Sequence, residues 1–378
     1  MARTQEIEQW LRDSVGEAEL KALWDIRARQ KERLGEQPGP EPDFAALKDR
    51  PQVGFAASDA DFRQYLRAAY APGLSLIAMD ADPEKMSVAP FLRVGRLFSA
   101  MHVPRVVAAD EKRGFVAMED LGPATYLAAF KQVESPAASR ALLLELAFEL
   151  AKLQSSGPQG SLNEPEKLGD ALPLYSLEKL DAEMELFVDW YLGKRLGVEL
   201  NAEQRRAWDE TKRTLLRRIS ALPYVYCHRD YIARNAMIQV GDRPGIIDFQ
   251  DAVFGPLHYD LASLLRDAFV SWDEETILDV AIRYWEKARG CGLPVEPRFE
   301  DFYKNMEWVG VQRHLKVTGI FCRLNRRDGK DGYEQDTPRF LGYLMQTSRR
   351  YDELRPLLNL IKEVAGPDLG ESKTFLTF

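Results

Sequence analysis

Cysteine is scarce in this chain: Cys227, Cys291 and Cys322 are the three in 378 residues. An odd number with no CxxC spacing excludes a disulfide framework and a thiolate metal site, and it suits reduced thiols in a cytoplasmic protein. Long apolar runs are missing too. No window of about 18 uninterrupted apolar residues occurs, so no membrane span is expected. The charged stretch from Met1 to Gln30 does not read as a signal peptide. Positive charge is not in excess: 51 Lys and Arg against 59 Asp and Glu give a net charge of −8. That argues against a sequence-independent nucleic-acid binder. A nucleotide stays open, because a metal and helix N-termini offset global charge. Repeats and low-complexity tracts are absent as well. What is present, 45% hydrophobic and 29% charged residues, reads as a soluble globular chain of two or three domain-sized units.

Along the chain the texture changes twice. Residues 4–34 predict a helix pair, with Ile7, Leu11, Leu20, Leu23, Trp24 and Ile26 as its apolar points, ended by Gly35-Glu36-Gln37-Pro38-Gly39-Pro40. From about Phe55 the pattern turns to strands: 62–70, a turn at Ala71-Pro72-Gly73, then a buried strand from Leu74 to Met79. A helix over 88–101 and two short strands, 105–109 and 115–119, complete the order strand, strand, helix, strand, strand. After Leu121-Gly122-Pro123 the chain is mostly helical. Ser135-Pro136 opens a helix whose buried face is Leu142, Leu146, Leu150 and Leu153. Ser271-Trp272-Asp273-Glu274 resembles a capping box, and residues 155–174 read as a loop. The expected units are 1–40, a helical extension; 41–121, a small nucleotide-binding lobe; and 122–378, a mostly helical lobe.

The densest chemical signal is His228-Arg229-Asp230-Tyr231-Ile232-Ala233-Arg234-Asn235, followed thirteen residues later by Asp248-Phe249-Gln250. This is the layout of a phosphoryl-transfer site, in which one Asp accepts the proton of an attacking hydroxyl while an Asn and a second Asp hold a metal. A hairpin, 236–240 and 245–248, would bring Asn235 and Asp248 side by side. An amide oxygen and a carboxylate together suit Mg²⁺. Zinc lacks its His/Cys set. Asp230 is the expected base, and His228 is expected to orient the loop from beneath.

The two segments resemble those of the aminoglycoside phosphotransferase-like kinases, a branch of the protein-kinase-like fold. Asp248-Phe249-Gln250 stands where protein kinases carry DFG, which favours a small-molecule kinase. Within that branch, Gly255-Pro256, Tyr259-Asp260-Leu261-Ala262, Tyr284-Trp285-Glu286-Lys287 and Gln312-Arg313-His314-Leu315-Lys316 with Gly319-Ile320-Phe321 resemble the bacterial anomeric amino-sugar kinases. So does Asp336-Thr337-Pro338-Arg339-Phe340. The likeness spans most of 55–360. It implies an α+β, bilobal fold with a small antiparallel-sheet lobe and a mostly helical lobe. It also implies ATP- and Mg²⁺-dependent phosphorylation of the C1 hydroxyl of N-acetylmuramate or N-acetylglucosamine in cell-wall sugar salvage. A kinase for an aminoglycoside, choline or homoserine-like acceptor is the alternative, ahead of a non-catalytic nucleotide binder. No nucleic acid, membrane or obligate protein partner is implied.

Two kinase features are lacking. No GxGxxG precedes the second strand. Ser58 and Asp59 occupy that place and are candidates to turn the phosphate loop. The strand lysine is also missing, with Met79 in its position. Glu119 and Leu121 fall where a hinge would offer a backbone carbonyl and N–H to adenine. For the acceptor, Trp308, Gln312, Arg313 and Lys316 fall at helical spacing and predict a shared face. Asp251, just beyond the metal-binding Asp, is a further substrate candidate.

Overall fold

Alternation of apolar and polar residues builds the N-terminal sheet. A computed structural model describes residues 2–58, 63–239 and 241–365, so Asp59 lies outside the described residues. The helix pair is α1 (Ala2–Ser14) and α2 (Glu17–Arg33), and Gly35 beyond it takes φ +74°. The strands are β1 (Gln52–Ser58), β2 (Arg63–Ala71), β3 (Leu74–Ala81), β4 (Val106–Asp110) and β5 (Phe115–Glu119). They form one antiparallel sheet in the order β1-β2-β3-β5-β4. There are three strands ahead of the helix Ala89–Leu97, one more than the sequence order suggests. On β2 the buried residues Leu66, Ala68 and Tyr70 recur with period two, as one buried sheet face requires. They pack with Leu74, Leu76 and Phe115 against Ile7, Trp10, Leu11 and Leu20 of the helix pair. Burial of these apolar side chains is the main stabilisation of α1 and α2, which are charged elsewhere.

Contacts divide the chain into two units. The first comprises 1–125 and 236–251; the second comprises 126–235 and 252–378. The hairpin belongs to the first, but its strands are only Ala236–Met237 and Gly245–Ile246. Asp248 is therefore not the last strand residue. It lies two residues past the strand, in the left-handed region at φ +65°.

The second unit is mostly helical. In the helix Pro136–Ser156, Leu143, Leu146, Leu150 and Leu153 are buried, while Leu142 is only half-buried. Ser135 is the residue before its first turn but makes no side-chain cap bond. The expected capping box shifts by two: Asp273 accepts the Thr276 N–H at 2.7 Å, and Ser271 Oγ instead meets Tyr343 Oη at 2.8 Å. The 28-residue helix Phe299–Arg326 is buried on nearly every side. It lies beside the helix Leu177–Leu186 and its wide, π-type continuation Phe187–Leu196, which sequence periodicity did not foretell. Among the described residues no helix is long and apolar enough to cross a membrane.

Candidate active site

In the second unit, the buried strand Tyr224–Cys227 pairs antiparallel with Val253–Pro256 and delivers the chain to His228-Arg229-Asp230. Arg229 adopts φ +74°, a left-handed conformation that costs a non-glycine residue about 1 kcal/mol or more. The surroundings hold it there. Asp260 accepts the His228 N–H at 2.6 Å and the Arg229 N–H at 2.9 Å. The Arg229 guanidinium donates to Glu183 at 2.7 Å and lies 5.0 Å from the Tyr175 ring centroid. Burial raises the Asp260 carboxyl to about 6, although the two backbone N–H groups pull it down.

Past this bend Asp230 turns its main chain inward. Its carbonyl accepts the Ile232 N–H at 3.0 Å and the Asn235 side-chain N–H at 2.9 Å. Its own N–H donates to His228 Nδ1 at 3.3 Å. His228 is fully buried and edge-on to Tyr231. Among the described residues no hydrogen bond ends on the Asp230 carboxylate. Burial alone would raise its carboxyl. Lys316 and then Arg313, Arg229 and His228 outweigh burial and hold it below the ordinary range.

Lys316 is itself caged. Its ammonium lies 3.4 Å from both Tyr175 Oη and Tyr259 Oη and 3.6 Å from Glu183. Tyr175 Oη also donates to Glu183. Such a buried charge is tolerated only because it is paired this fully. The expected shared face of Trp308, Gln312, Arg313 and Lys316 is therefore not found: these residues are 2%, 0%, 1% and 5% exposed. Gln312 is spent on the Leu180 carbonyl, 3.2 Å away. Trp308 belongs to a core cluster with Leu341 and Leu344. A helix buried all round has no polar face for helical spacing to reveal.

In the first unit, one Asp248 oxygen accepts from Gln250 Nε2 at 2.8 Å. Phe249 is locked against Phe91, with ring centroids 4.8 Å apart. Asp251 is exposed. At the expected hinge, Glu119 is buried beside His102 at 3.4 Å. Asp120 binds Arg67 at 2.6 Å, Ser75 at 2.7 Å and the Gly122 N–H at 2.9 Å. Arg27 of α2 donates to the Asp120 carbonyl, and Gln239 donates to the Leu121 carbonyl at 2.6 Å. α2 thus braces the main chain at Asp120, which the sequence did not reveal. Met79 is fully buried on β3, and the neighbouring Asp80 is bound by Arg3 at 2.9 Å. Ser58 ends β1.

Asn235 of the second unit carries an amide oxygen, and Asp248 of the first carries a carboxylate. The Asn235 amide nitrogen is already bonded to the Asp230 carbonyl, so its oxygen is the end turned elsewhere. Hard oxygen donors of this kind fit Mg²⁺.

The chain matches the model of the phosphotransferase enzyme family over residues 53–299. It is 50% identical over 339 residues to an N-acetylmuramate/N-acetylglucosamine kinase of Neisseria meningitidis, covering 90% of this chain and 96% of that protein. It is 41% identical over 308 residues to the protein of the same name in Pseudomonas aeruginosa, covering 81% and 86%. Among solved structures, a choline/ethanolamine kinase family protein from Mesorhizobium loti aligns with a TM-score of 0.55 at 15% identity, over 85% of this chain and 96% of that one. The aminoglycoside phosphotransferase APH(2″)-IIa, solved with gentamicin, aligns at 0.53 and 16%, over 77% and 91%. These structures share the fold.

Proposed function

We propose, from the premise that this chain belongs to the phosphotransferase enzyme family, that it uses ATP to phosphorylate the anomeric hydroxyl of N-acetylmuramate and N-acetylglucosamine. One observation carries the reaction: the Asp230 carboxylate sits on a doubly locked loop, ionised by surrounding cations, with no described hydrogen-bond donor occupying it. The names of relatives up to 50% identical support the acceptor.

Asp230 takes the proton of the C1 hydroxyl as that oxygen bonds to the γ-phosphorus. The bond from the γ-phosphorus to the β–γ bridging oxygen breaks, and ADP leaves. Asn235 and Asp248 are the residues that would hold Mg²⁺, whose charge would offset that of the phosphates. The Glu119 carbonyl and Leu121 N–H would meet adenine, and Ser58 would end the strand that leads to the phosphate loop. Met79, apolar and buried, would line the nucleotide side and grip no phosphate. His228 orients the loop through its bond from the Asp230 N–H. Arg313 and Lys316 act on the sugar only through the charge they place near Asp230. Asp251 remains a candidate for the acceptor side.

Steady-state ADP release tests this reading with the two amino sugars, choline and an aminoglycoside. Turnover confined to the amino sugars is expected. Turnover with choline or the aminoglycoside, and none with the sugars, overturns it.

A further inference from the structure

Beside the base, the second unit carries an arginine on an aromatic shelf that the reaction above does not use. Arg234 lies on the single 3₁₀ turn Ala233–Asn235, four residues after Asp230, and is exposed. Its guanidinium stands 5.1 Å from the Phe269 ring centroid, and Nη1 donates to Tyr333 Oη at 3.3 Å. Phe269 and Tyr333 are half-buried and pack on Phe321, with centroid separations of 5.8 and 5.1 Å. The buried carboxylate of Asp267 fastens the two sides together. One of its oxygens accepts the Ala233 N–H at 2.8 Å and the other the Phe269 N–H at 2.7 Å. The base loop, the arginine and its aromatic support are therefore held in register by one side chain.

Among the described residues the charge of Arg234 is left for a ligand. Among the described residues no carboxylate pairs with it. Arg339 differs: it donates to Ser271 and faces Asp336 at 3.7 Å. Arginine suits the task of holding a carboxylate, because its planar fork can donate two parallel bonds. N-acetylmuramate differs from N-acetylglucosamine by a lactyl ether on C3, which ends in a carboxylate. C3 is two ring carbons from the reacting C1, a span that a side chain four residues from the base can bridge.

We propose that Arg234, supported by Phe269 and Tyr333, binds the lactyl carboxylate of N-acetylmuramate while C1 faces Asp230. Arg234 is then what lets one site serve both an anionic and a neutral sugar. The assignment rests on the acceptor reading above.

The test measures kcat/KM for N-acetylmuramate, its methyl ester and N-acetylglucosamine, with the wild-type enzyme and Arg234→Met. With wild type the ester is expected to fall about ten- to hundredfold below the free acid, the span of a lost charge-assisted pair. Arg234→Met should bring the acid down to the level of the ester. The ester and N-acetylglucosamine should each change by no more than about threefold. Arg234→Lys should restore part of the preference for the acid, since it returns charge without the fork. Thermal unfolding of each variant confirms that it is folded. An equal fall for all three sugars in a folded Arg234→Met, or no fall for the acid, overturns the assignment. A wild-type enzyme that releases ADP with none of the three overturns the acceptor reading itself, and the Arg234 assignment with it.

Discussion

At the scale of single residues, the proposed site turns on how Asp230 is kept ionised with no described donor on its carboxylate. A carboxylate among neighbours usually acquires a donor. Here the obvious donors are engaged elsewhere: Arg229 on Glu183, Lys316 on two tyrosines and Glu183, and Asn235 on the Asp230 main chain. The charges remain close enough to favour the ionised form while the carboxylate stays open to a hydroxyl. Asp230→Asn keeps the shape and removes the proton acceptor. The expected result is a fall in kcat of about 10²- to 10⁴-fold with nucleotide affinity retained. Single-turnover kinetics with a separate nucleotide titration would check it, and near-normal turnover in the folded variant would disprove the role. Asp230 stood out as the candidate base from the HxDxxxxN spacing. Its supporting cast did not: Asp260, Glu183, Tyr175 and Tyr259 lie 29 to 55 residues away along the chain. Only folding brings their side chains to the loop, and nothing local in the sequence marks that convergence.

Among elements, helical periodicity succeeded where one face is wet and failed where none is. α1, α2 and the strands β2 to β5 each have a buried and a more exposed side or a clear turn, and their positions were readable to within a few residues. The helix Phe299–Arg326 is buried around its circumference, so the spacing of its polar residues marks no exposed face. Its packing also explains a glycine. A Cβ on Gly319 would fall 2.2 Å from the Leu186 carbonyl oxygen, where the neighbouring helix passes into its π-type turns. Backbone, not a yielding side chain, blocks the space. Gly319→Ala is therefore expected to destabilise the protein by about 1–3 kcal/mol despite the better helix propensity of alanine. Chemical denaturation would show this as a lower midpoint. An unchanged or raised midpoint would mean that the two helices can part without cost.

For the whole molecule, the two signature segments fall in different units: Asp248 and residues 119–121 belong to the first, and Asp230 and Asn235 to the second. The chain passes from one unit to the other immediately after Asn235 and again after Asp251, so the boundaries fall beside the two signature segments. The sequence showed those segments and the sheet-then-helix order. It did not show that the hairpin leaves the helical unit, because a strand pair of two residues each carries almost no pattern of its own. Family membership and the antiparallel sheet followed by helices agree on a small-molecule kinase. The central claim is that the hydroxyl on C1 is the phosphoryl acceptor. Phosphorus NMR of the product formed from ATP and N-acetylglucosamine tests it most directly. The account predicts a single new phosphomonoester whose phosphorus couples to the anomeric proton. A phosphomonoester coupled instead to the C6 methylene protons would contradict it.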